Sequence, residues 1–162
     1  MSTKTRSEAL KRRDSSEGKA LRPSILVIDD DASVRDALHF VLKDRYDVTL
    51  CASAEEGLAA LTDDVYVVIL DVKLKGKDGF WTCAEIQKRQ ADVPIIFYSA
   101  YQKLKDPYDI INEHRPFGYI VKGGELSTLL DRIEMAVQLR RIVMENRRLI
   151  AQLGGSMPLK KV

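Results

Sequence analysis

The chain alternates short runs of apolar residues with stretches in which apolar residues recur at helical spacing. Three of the runs are continuous, rich in β-branched residues and of strand length: residues 25–28, 65–70 and 94–98. Such runs are typical of strands that are covered on both faces, as in a parallel sheet. Residues 47–51 and 118–121 are two weaker strand candidates.

Amphipathic stretches lie between these runs and after the last one. Ser33 and Ser53 each begin such a stretch with an acidic residue three positions later, the spacing of a capping box that opens a helix. Asp106 precedes a proline, which predicts another helix N-terminus. Residues 80–90 and 125–153 predict two further helices, the second of them long. Five strands alternating with five helices predict an α/β fold, a five-stranded parallel sheet with helices on both faces.

The length of 162 residues leaves room for one domain of ordinary size with tails. Residues 1–22 are rich in Ser, Thr, Lys and Arg and predict a disordered basic tail, and residues 154–162 predict a flexible one. The formal net charge of +2 predicts no direct binding to nucleic acid or to a membrane. Two cysteines, no signal peptide pattern and no long apolar stretch together predict a cytoplasmic protein.

Polar side chains stand at the ends of four predicted strands. Asp29 and Asp30 follow the first strand, Asp71 the third, Ser99 the fourth and Lys122 the fifth. Because the carboxyl ends of parallel strands meet at one edge of the sheet, we expect these side chains to converge. Carboxylates packed this closely repel one another unless a cation neutralises them, and oxygen ligands favour Mg²⁺. With a lysine and a hydroxyl alongside, the pattern predicts a phosphoryl-transfer site.

In this arrangement residues 24–137 resemble the receiver domain of two-component response regulators, the family that includes the chemotaxis single-domain regulators. The resemblance rests on the acidic strand end, on Asp71 with Asp78-Gly79 downstream, on Ser99-Ala100 and on residues 119–122. It implies a flavodoxin-like receiver fold over residues 23–138. It also implies a protein that receives its phosphoryl group from a sensor histidine kinase and then signals through contacts with a downstream protein. A receiver catalyses only its own modification, so no turnover enzyme is expected.

The resemblance implies a role for each acidic residue of the site. Asp71 would be the phosphoacceptor, which attacks the phosphohistidine of the kinase and forms an acyl phosphate. Asp30 would bind Mg²⁺ directly, Asp29 through water, and the backbone carbonyl of Lys73 would supply another ligand. Asp31, the third acid of the run, is expected to serve only the N-terminus of the next helix.

Three further residues would act on the phosphoryl group once it has been transferred. By resemblance, Lys122 would pair with it and Ser99 would move to donate a hydrogen bond to it. Tyr119 would then swing inward and fill the space that Ser99 vacates, so that Ser99 and Tyr119 together form the switch.

Three places depart from the family pattern: residues 115–117, which precede the last strand, and two positions beside the site. Lys75 stands where the family usually has proline, among three lysines of residues 73–77. These lysines either alter the acyl phosphate lifetime or the kinase docking surface, or they are ordinary solvated loop charges. Gly123 follows Lys122 where the family usually has proline, often after a cis peptide bond. Since a cis bond without proline costs about 2.5–4 kcal/mol, we expect a trans bond or a more mobile loop there.

Two alternative functions are weighed against a phosphorylated receiver. A degenerate receiver would signal by constitutive pairing; the intact acidic set argues against it, and the departure at Gly123 argues for it. A Mg²⁺ phosphatase or a nucleotide-binding protein would need a general acid beside the nucleophile or a Gly-rich phosphate loop. The sequence has neither pattern.

The last predicted helix continues beyond the receiver as an extension over residues 139–153. Its apolar positions are spaced by 3, 4, 3 and 4 residues, the pattern of a coiled-coil seam in which an asparagine at an a position favours a parallel pair. This spacing predicts a homodimer through the C-terminal helix; the alternative is a solvated helix that leads to a partner or to a further domain. The seam consists of Leu139, Ile142, Asn146, Leu149 and Leu153.

Overall fold

The computed structural model describes residues 21–100 and 106–154. Within them, five strands alternate with five helices, as the sequence predicts. The two predicted tails lie almost wholly outside the described residues. The elements in chain order are β1 (Ser24–Ile28), α1 (Ala32–Leu42), β2 (Asp47–Cys51), α2 (Ala54–Ala60), β3 (Val65–Leu70), α3 (Gly79–Arg89), β4 (Ile95–Ser99), α4 (Pro107–His114), β5 (Gly118–Val121) and α5 (Leu126–Gln152).

The strands form one parallel sheet in the order β2-β1-β3-β4-β5, which is the flavodoxin-like order. β1 pairs with both β2 and β3, so the order of the strands reverses at β1 and β3. In sheets of this kind, ligands bind beyond the carboxyl ends of the strands at that reversal. The carboxyl ends of β1 and β3 are where Asp29 and Asp71 follow.

Each face of the sheet carries its own apolar core. One core packs α2, α3 and α4 against the sheet and includes Leu58, Ile86 and Ile110. The other packs α1 and α5 against the opposite face and includes Leu42 and Ile133. Because both faces are covered, the central strands are apolar at almost every position, which explains their continuous apolar runs. Among the described residues, no helix is long and apolar enough to cross a membrane.

The helix starts follow the predicted caps with one correction. Asp31, and not Ser33, is the N-cap of α1: its side chain accepts a hydrogen bond from the backbone N–H of Ser33 at 2.9 Å. A carboxylate two residues before a free N–H satisfies that donor and also suits the positive end of the helix dipole. Ser53 caps α2 and Asp106 caps α4, as predicted.

Arg140 joins helix α5 to the amino end of the central strand β3, and its side chain is 1% exposed. Its guanidinium donates to the backbone carbonyls of Val65 and Asp63 at 3.2 and 3.3 Å and to the side chain of Gln90 at 3.2 Å. It also forms an ion pair with Asp92 at 2.9 Å. The first turn of the predicted extension therefore packs against the domain, while the boundary at residue 138 stays a prediction.

Candidate functional site

The acidic side chains that follow β1 and β3 meet in the folded chain as the sequence predicts. One carboxylate oxygen from each of Asp29, Asp30 and Asp71 lies within 4.8 Å of the other two. Backbone hydrogen bonds between strands fix these positions: Asp29 donates its N–H to Cys51, and Asp71 donates its N–H to Ile28. The site is therefore held by the sheet itself and not by flexible loops.

Lys122, which follows β5, forms ion pairs with two of these carboxylates. Its Nζ lies 2.6 Å from Oδ2 of Asp29 and 3.1 Å from Oδ2 of Asp71. Its backbone N–H donates to the carbonyl of Ser99, so the end of β5 stays in register with the end of β4. The peptide after Lys122 is trans, as expected, and Gly123 adopts a φ of +84°, which favours glycine.

Burial affects the pKa values of two charged residues of the site, Asp29 and Lys122. It raises the pKa of Asp29, and hydrogen bonds from Lys122 and from the backbone of Asp31 oppose that rise only in part. Burial by itself would lower the pKa of Lys122, but the hydrogen bonds to Asp29 and Asp71 outweigh it, and the pKa of Lys122 is raised. Lys122 therefore remains a cation throughout the physiological range and serves as the fixed positive charge of the site.

An open cavity of about 300 Å³ leads from the surface to Asp71. Asp30 and Asp31 both line it, so Asp31 caps α1 and also borders the site, more than the sequence predicts. Asp29 does not line the cavity and is 2% exposed, while Asp71 is 6% exposed and lines it. The complete lining is Asp30, Asp31, Asp71, Lys73, Leu74, Lys75, Ser99, Ala100 and Lys122.

Ser99 and Tyr119, the predicted switch residues, are neighbours. Ser99 is buried and lines the cavity. Tyr119 is half-buried, its ring 6.3 Å from that of Phe97, and its side chain is hydrogen-bonded to that of Ser99. Burial raises the pKa of Tyr119, and the bond to Ser99 opposes the rise. The contact joins the cavity to the face of the sheet that α3 and α4 cover, although the movement of either residue stays a prediction.

Arg35 is a residue of the site that sequence reasoning missed. Its guanidinium donates to the backbone carbonyl of Asp29 at 2.7 Å, and so it holds the chain between β1 and α1 in place. No motif indicates this role, because a single arginine on an amphipathic helix is normally a solvated residue. Only the packing of α1 against the end of β1 brings it to the carbonyl.

The donor set fits a hard divalent cation. Three carboxylates within reach of one point provide oxygen ligands and a charge of −3, of which Lys122 balances one unit. Asp71 holds its orientation through the backbone N–H of Lys73, which donates to its Oδ1 at 3.3 Å. A buried carboxylate beside a fixed lysine and a cation site, open to solvent at one point, has the chemical parts needed to accept a phosphoryl group.

Comparison with known proteins agrees with this chemistry. The profile of the response regulator receiver domain matches residues 25–134. The C4-dicarboxylate transport transcriptional regulatory protein DctD of Rhizobium meliloti is 32% identical over 78% of this chain and 28% of its own length. The transcriptional regulatory protein AfsQ1 of Streptomyces coelicolor is 40% identical over 72% of this chain and 52% of its own length. The chain thus spans between a quarter and a half of these relatives.

Solved structures show the same fold. A response regulator receiver domain protein from Clostridium thermocellum superposes with a TM-score of 0.68 at 27% identity, covering 74% of this chain and 98% of its own. NtrX from Brucella abortus, solved in complex with ADP, superposes with a TM-score of 0.70 at 26% identity, covering 80% of this chain and 30% of its own. By its matched profile, its fold and its converging strand-end residues, the chain belongs to the response regulator receiver domain family of two-component systems.

Proposed function

We propose that this receiver accepts a phosphoryl group on Asp71 from the phosphohistidine of a sensor histidine kinase, with Mg²⁺ bound in the acidic cluster. The observation that carries the proposal is the position of Asp71, which is almost buried, faces an open cavity and lies 3.1 Å from Lys122. An acyl phosphate formed there would keep Lys122 as its counter-charge. The chain would act on itself and not turn over an external product.

The chain's own residues account for most of the transfer step. A carboxylate oxygen of Asp71 forms the bond to phosphorus while the bond to the histidine nitrogen breaks; the electron pair leaves with the imidazole ring, which is neutral because its other nitrogen carries a proton. Lys122 stabilises the charge on the phosphoryl oxygens, and the backbone N–H of Lys73 orients the nucleophile. By family resemblance, Asp29, Asp30, Asp71 and the carbonyl of Lys73 would hold Mg²⁺, which would neutralise charge on the carboxylates and on the phosphoryl group.

The surface beside the cavity suits a protein donor. A second cavity of about 340 Å³, mostly apolar, lies between α1 and the start of α5 and includes Val34, Val41 and Leu126 in its lining. Lys122 lines both cavities, so the apolar surface is continuous with the site. We expect the helix that carries the kinase's phosphohistidine to rest on it, since apolar grooves bind amphipathic helices.

The transfer is tested with acetyl phosphate and Mg²⁺, followed by intact mass of the wild type and of Asp71→Asn. We expect the wild type to gain the mass of one phosphoryl group and the variant to gain none. A gain that persists in Asp71→Asn would refute the assignment of the phosphoacceptor. No gain in the wild type, together with no affinity for Mg²⁺, would favour the alternative of a degenerate receiver that works by constitutive pairing.

We further propose that α5 pairs with a second copy of itself. Its coiled-coil seam faces away from the domain, and Leu139, Ile142, Leu149 and Leu153 are between 44% and 83% exposed. In a parallel pair Asn146 would meet its own counterpart, which fixes the register of the two helices. Arg140 lies on the opposite side of the helix and holds that side to the domain.

Sedimentation at high concentration, with and without trifluoroberyllate as a phosphoryl mimic, tests this pairing. We expect a dimer that Ile142→Asp dissociates, because a charge in the seam would be buried without a partner. Ala151→Asp, at an exposed position on the side of the same helix opposite the seam, is the matched control and should leave the dimer intact. A monomeric wild type under both conditions would refute the seam.

The output of the whole protein follows from its relatives only as a proposal. DctD and AfsQ1 are both named as transcriptional regulatory proteins, and this chain matches 28% and 52% of their lengths. We propose that the residues of this chain act through protein contacts in the cytoplasm and not by direct binding to nucleic acid. The two free cysteines, both buried, suit a reducing compartment.

A further inference from the structure

The loop between Asp71 and α3 is held at both ends, so its residues have defined places around the cavity. The backbone N–H of Gly79 donates to the carbonyl of Val72 at 2.8 Å and closes the loop. Leu74, in the middle, is 7% exposed and packs into the core beneath α2 and α3. Because Leu74 packs into the core, its two neighbours, Lys73 and Lys75, are directed to the surface.

The three lysines of this loop differ in what they face. Lys73 and Lys75 line the same cavity as Asp30 and Asp31. Lys77 does not line it, and its Nζ instead lies 5.0 Å above the ring of Trp81. The lining therefore combines acidic residues, which suit the cation, with two loop lysines whose role the acidic cluster does not explain.

A phosphodonor would have to enter the cavity that these two lysines line. Lys122 and two of the clustered carboxylates, those of Asp30 and Asp71, also line it, and the phosphoryl group would bind beside them. At about 300 Å³ the cavity also has room for a group attached to the phosphorus. Lys75, an exposed cation in the cavity lining, is placed to attract negative charge on a group attached to the phosphorus.

Resting on the proposed function, we propose that Lys75 is a specificity-determining residue that favours phosphodonors with an anionic leaving group, namely small acyl phosphates. In that transfer an oxygen of Asp71 bonds to phosphorus, the bond from phosphorus to the acyl oxygen breaks, and the electron pair leaves with the carboxylate. Lys75 stabilises the charge that develops on that carboxylate. A donor that releases neutral imidazole develops no such charge and gains little from Lys75.

The test compares two probes, acetyl phosphate and phosphoimidazole, with wild type, Lys75→Gln and Lys77→Gln in the presence of Mg²⁺. Second-order rate constants come from intact mass against time. We expect Lys75→Gln to lower the rate with acetyl phosphate about fivefold, the order expected of one exposed charge acting on another, and the rate with phosphoimidazole less than about twofold. The loss of rate that Lys75→Gln causes with acetyl phosphate should be smaller at high ionic strength. Lys77→Gln, from the same loop, should keep the wild-type ratio.

Trifluoroberyllate, which fills the phosphoryl position without a leaving group, distinguishes this role from a structural one. Lys75→Gln should bind it with wild-type affinity. Equal losses with both donors, weaker trifluoroberyllate binding, or an unchanged donor ratio would each overturn the role of Lys75 while leaving phosphorylation of Asp71 intact. A wild type that neither donor phosphorylates would overturn the proposed function and, with it, this inference.

Discussion

Lys122 lies closer to Asp29 than to the proposed phosphoacceptor Asp71, at 2.6 against 3.1 Å. Asp29 thus has two roles in the site: it forms the ion pair that positions Lys122, and it supplies one of the three clustered carboxylates. Burial raises its pKa in spite of the ion pair, because desolvation of the carboxylate outweighs the attraction. The protonation of this one residue therefore connects pH, stability and metal binding.

A first prediction concerns pH in metal-free solution. Because the pKa of Asp29 is raised on folding, the folded protein retains a proton that the unfolded chain releases above its ordinary pKa of 3.8. Stability should therefore fall as pH rises from that value through the raised pKa. Asp29→Asn, which cannot ionise, should lack this fall. Urea unfolding in EDTA at several pH values measures the difference, and parallel profiles for the two proteins would contradict it.

A second prediction concerns the close approach of Gly79 to the backbone of Asp71. A Cβ at Gly79 would lie 2.2 Å from the Asp71 carbonyl oxygen, so the strand end or the loop would have to move. We expect Gly79→Ala to destabilise the fold by about 1–3 kcal/mol and to weaken Mg²⁺ binding.

Gly124→Ala is the control for this substitution, since its Cβ would come no nearer than 3.4 Å to the Val121 carbonyl. Its effect should stay below about 1 kcal/mol. Urea unfolding and Mg²⁺ titration measure both variants. Unchanged Mg²⁺ binding by Gly79→Ala would contradict the prediction, because it would show that the loop moves without displacing Asp71.

At the scale of the elements, the long helix α5 is attached to the sheet more firmly than a linker would be. Asp92, in the turn before β4, forms ion pairs with Arg140 at 2.9 Å and with Arg147 at 2.8 Å. The two arginines are one heptad apart on the same side of the helix, opposite the proposed seam. These ion pairs fix the direction of the helical extension relative to the amino ends of the strands, which are the ends remote from the site.

A third prediction separates the contributions of the two arginines. Arg140→Ala should cost about 3–5 kcal/mol, because it removes a buried cation, deprives the carbonyls of Val65 and Asp63 of their guanidinium donor and leaves Asp92 with Arg147 alone. Arg147→Ala should cost less than about 1 kcal/mol, since the side chain is 64% exposed although it binds the same carboxylate. Urea unfolding measures both, and equal costs would show that burial does not decide the strength of this cluster.

At the scale of the whole molecule, two buried thiols report on the opening of the fold. Cys51, at the end of β2, and Cys83, on α3, both pack into the core on the α2, α3 and α4 side. Burial raises the pKa of Cys83 to about 12 and raises that of Cys51 as well. Neither group is a thiolate at neutral pH, and neither is accessible.

A fourth prediction follows for thiol labelling at about pH 8. With Ellman's reagent the native protein should react slowly, at a rate set by opening of the core, and both thiols should react at once in strong urea. The Cys51→Ala variant isolates Cys83, which should be the slower of the two because it is fully buried. Fast labelling of Cys83 without denaturant would contradict the buried, high-pKa thiol.

Much of this protein is determined by local sequence. The apolar runs at 25–28 and 65–70 predict their strands because only strands covered on both faces need so many consecutive apolar residues. The order of strand-end residues predicts the acidic cluster, since parallel strands place their carboxyl ends at one edge. The caps at Ser53 and Asp106 are equally local, because each involves a side chain and an N–H two or three residues away.

Tertiary structure decided what depends on residues far apart in the chain. Ser33 and Asp31 offer competing caps for α1, and the geometry of the chain leaving β1 selects Asp31. In the sequence, Arg140 is one polar residue of a helical extension, and such residues are normally exposed. In the structure it is buried and binds partners about 50 to 77 positions away in the chain. Lys75 comes to line the cavity only once Leu74 packs into the core and Gly79 closes the loop. Sequence specifies which groups the site contains, and packing specifies which of them face it, because contacts between remote elements leave no local pattern.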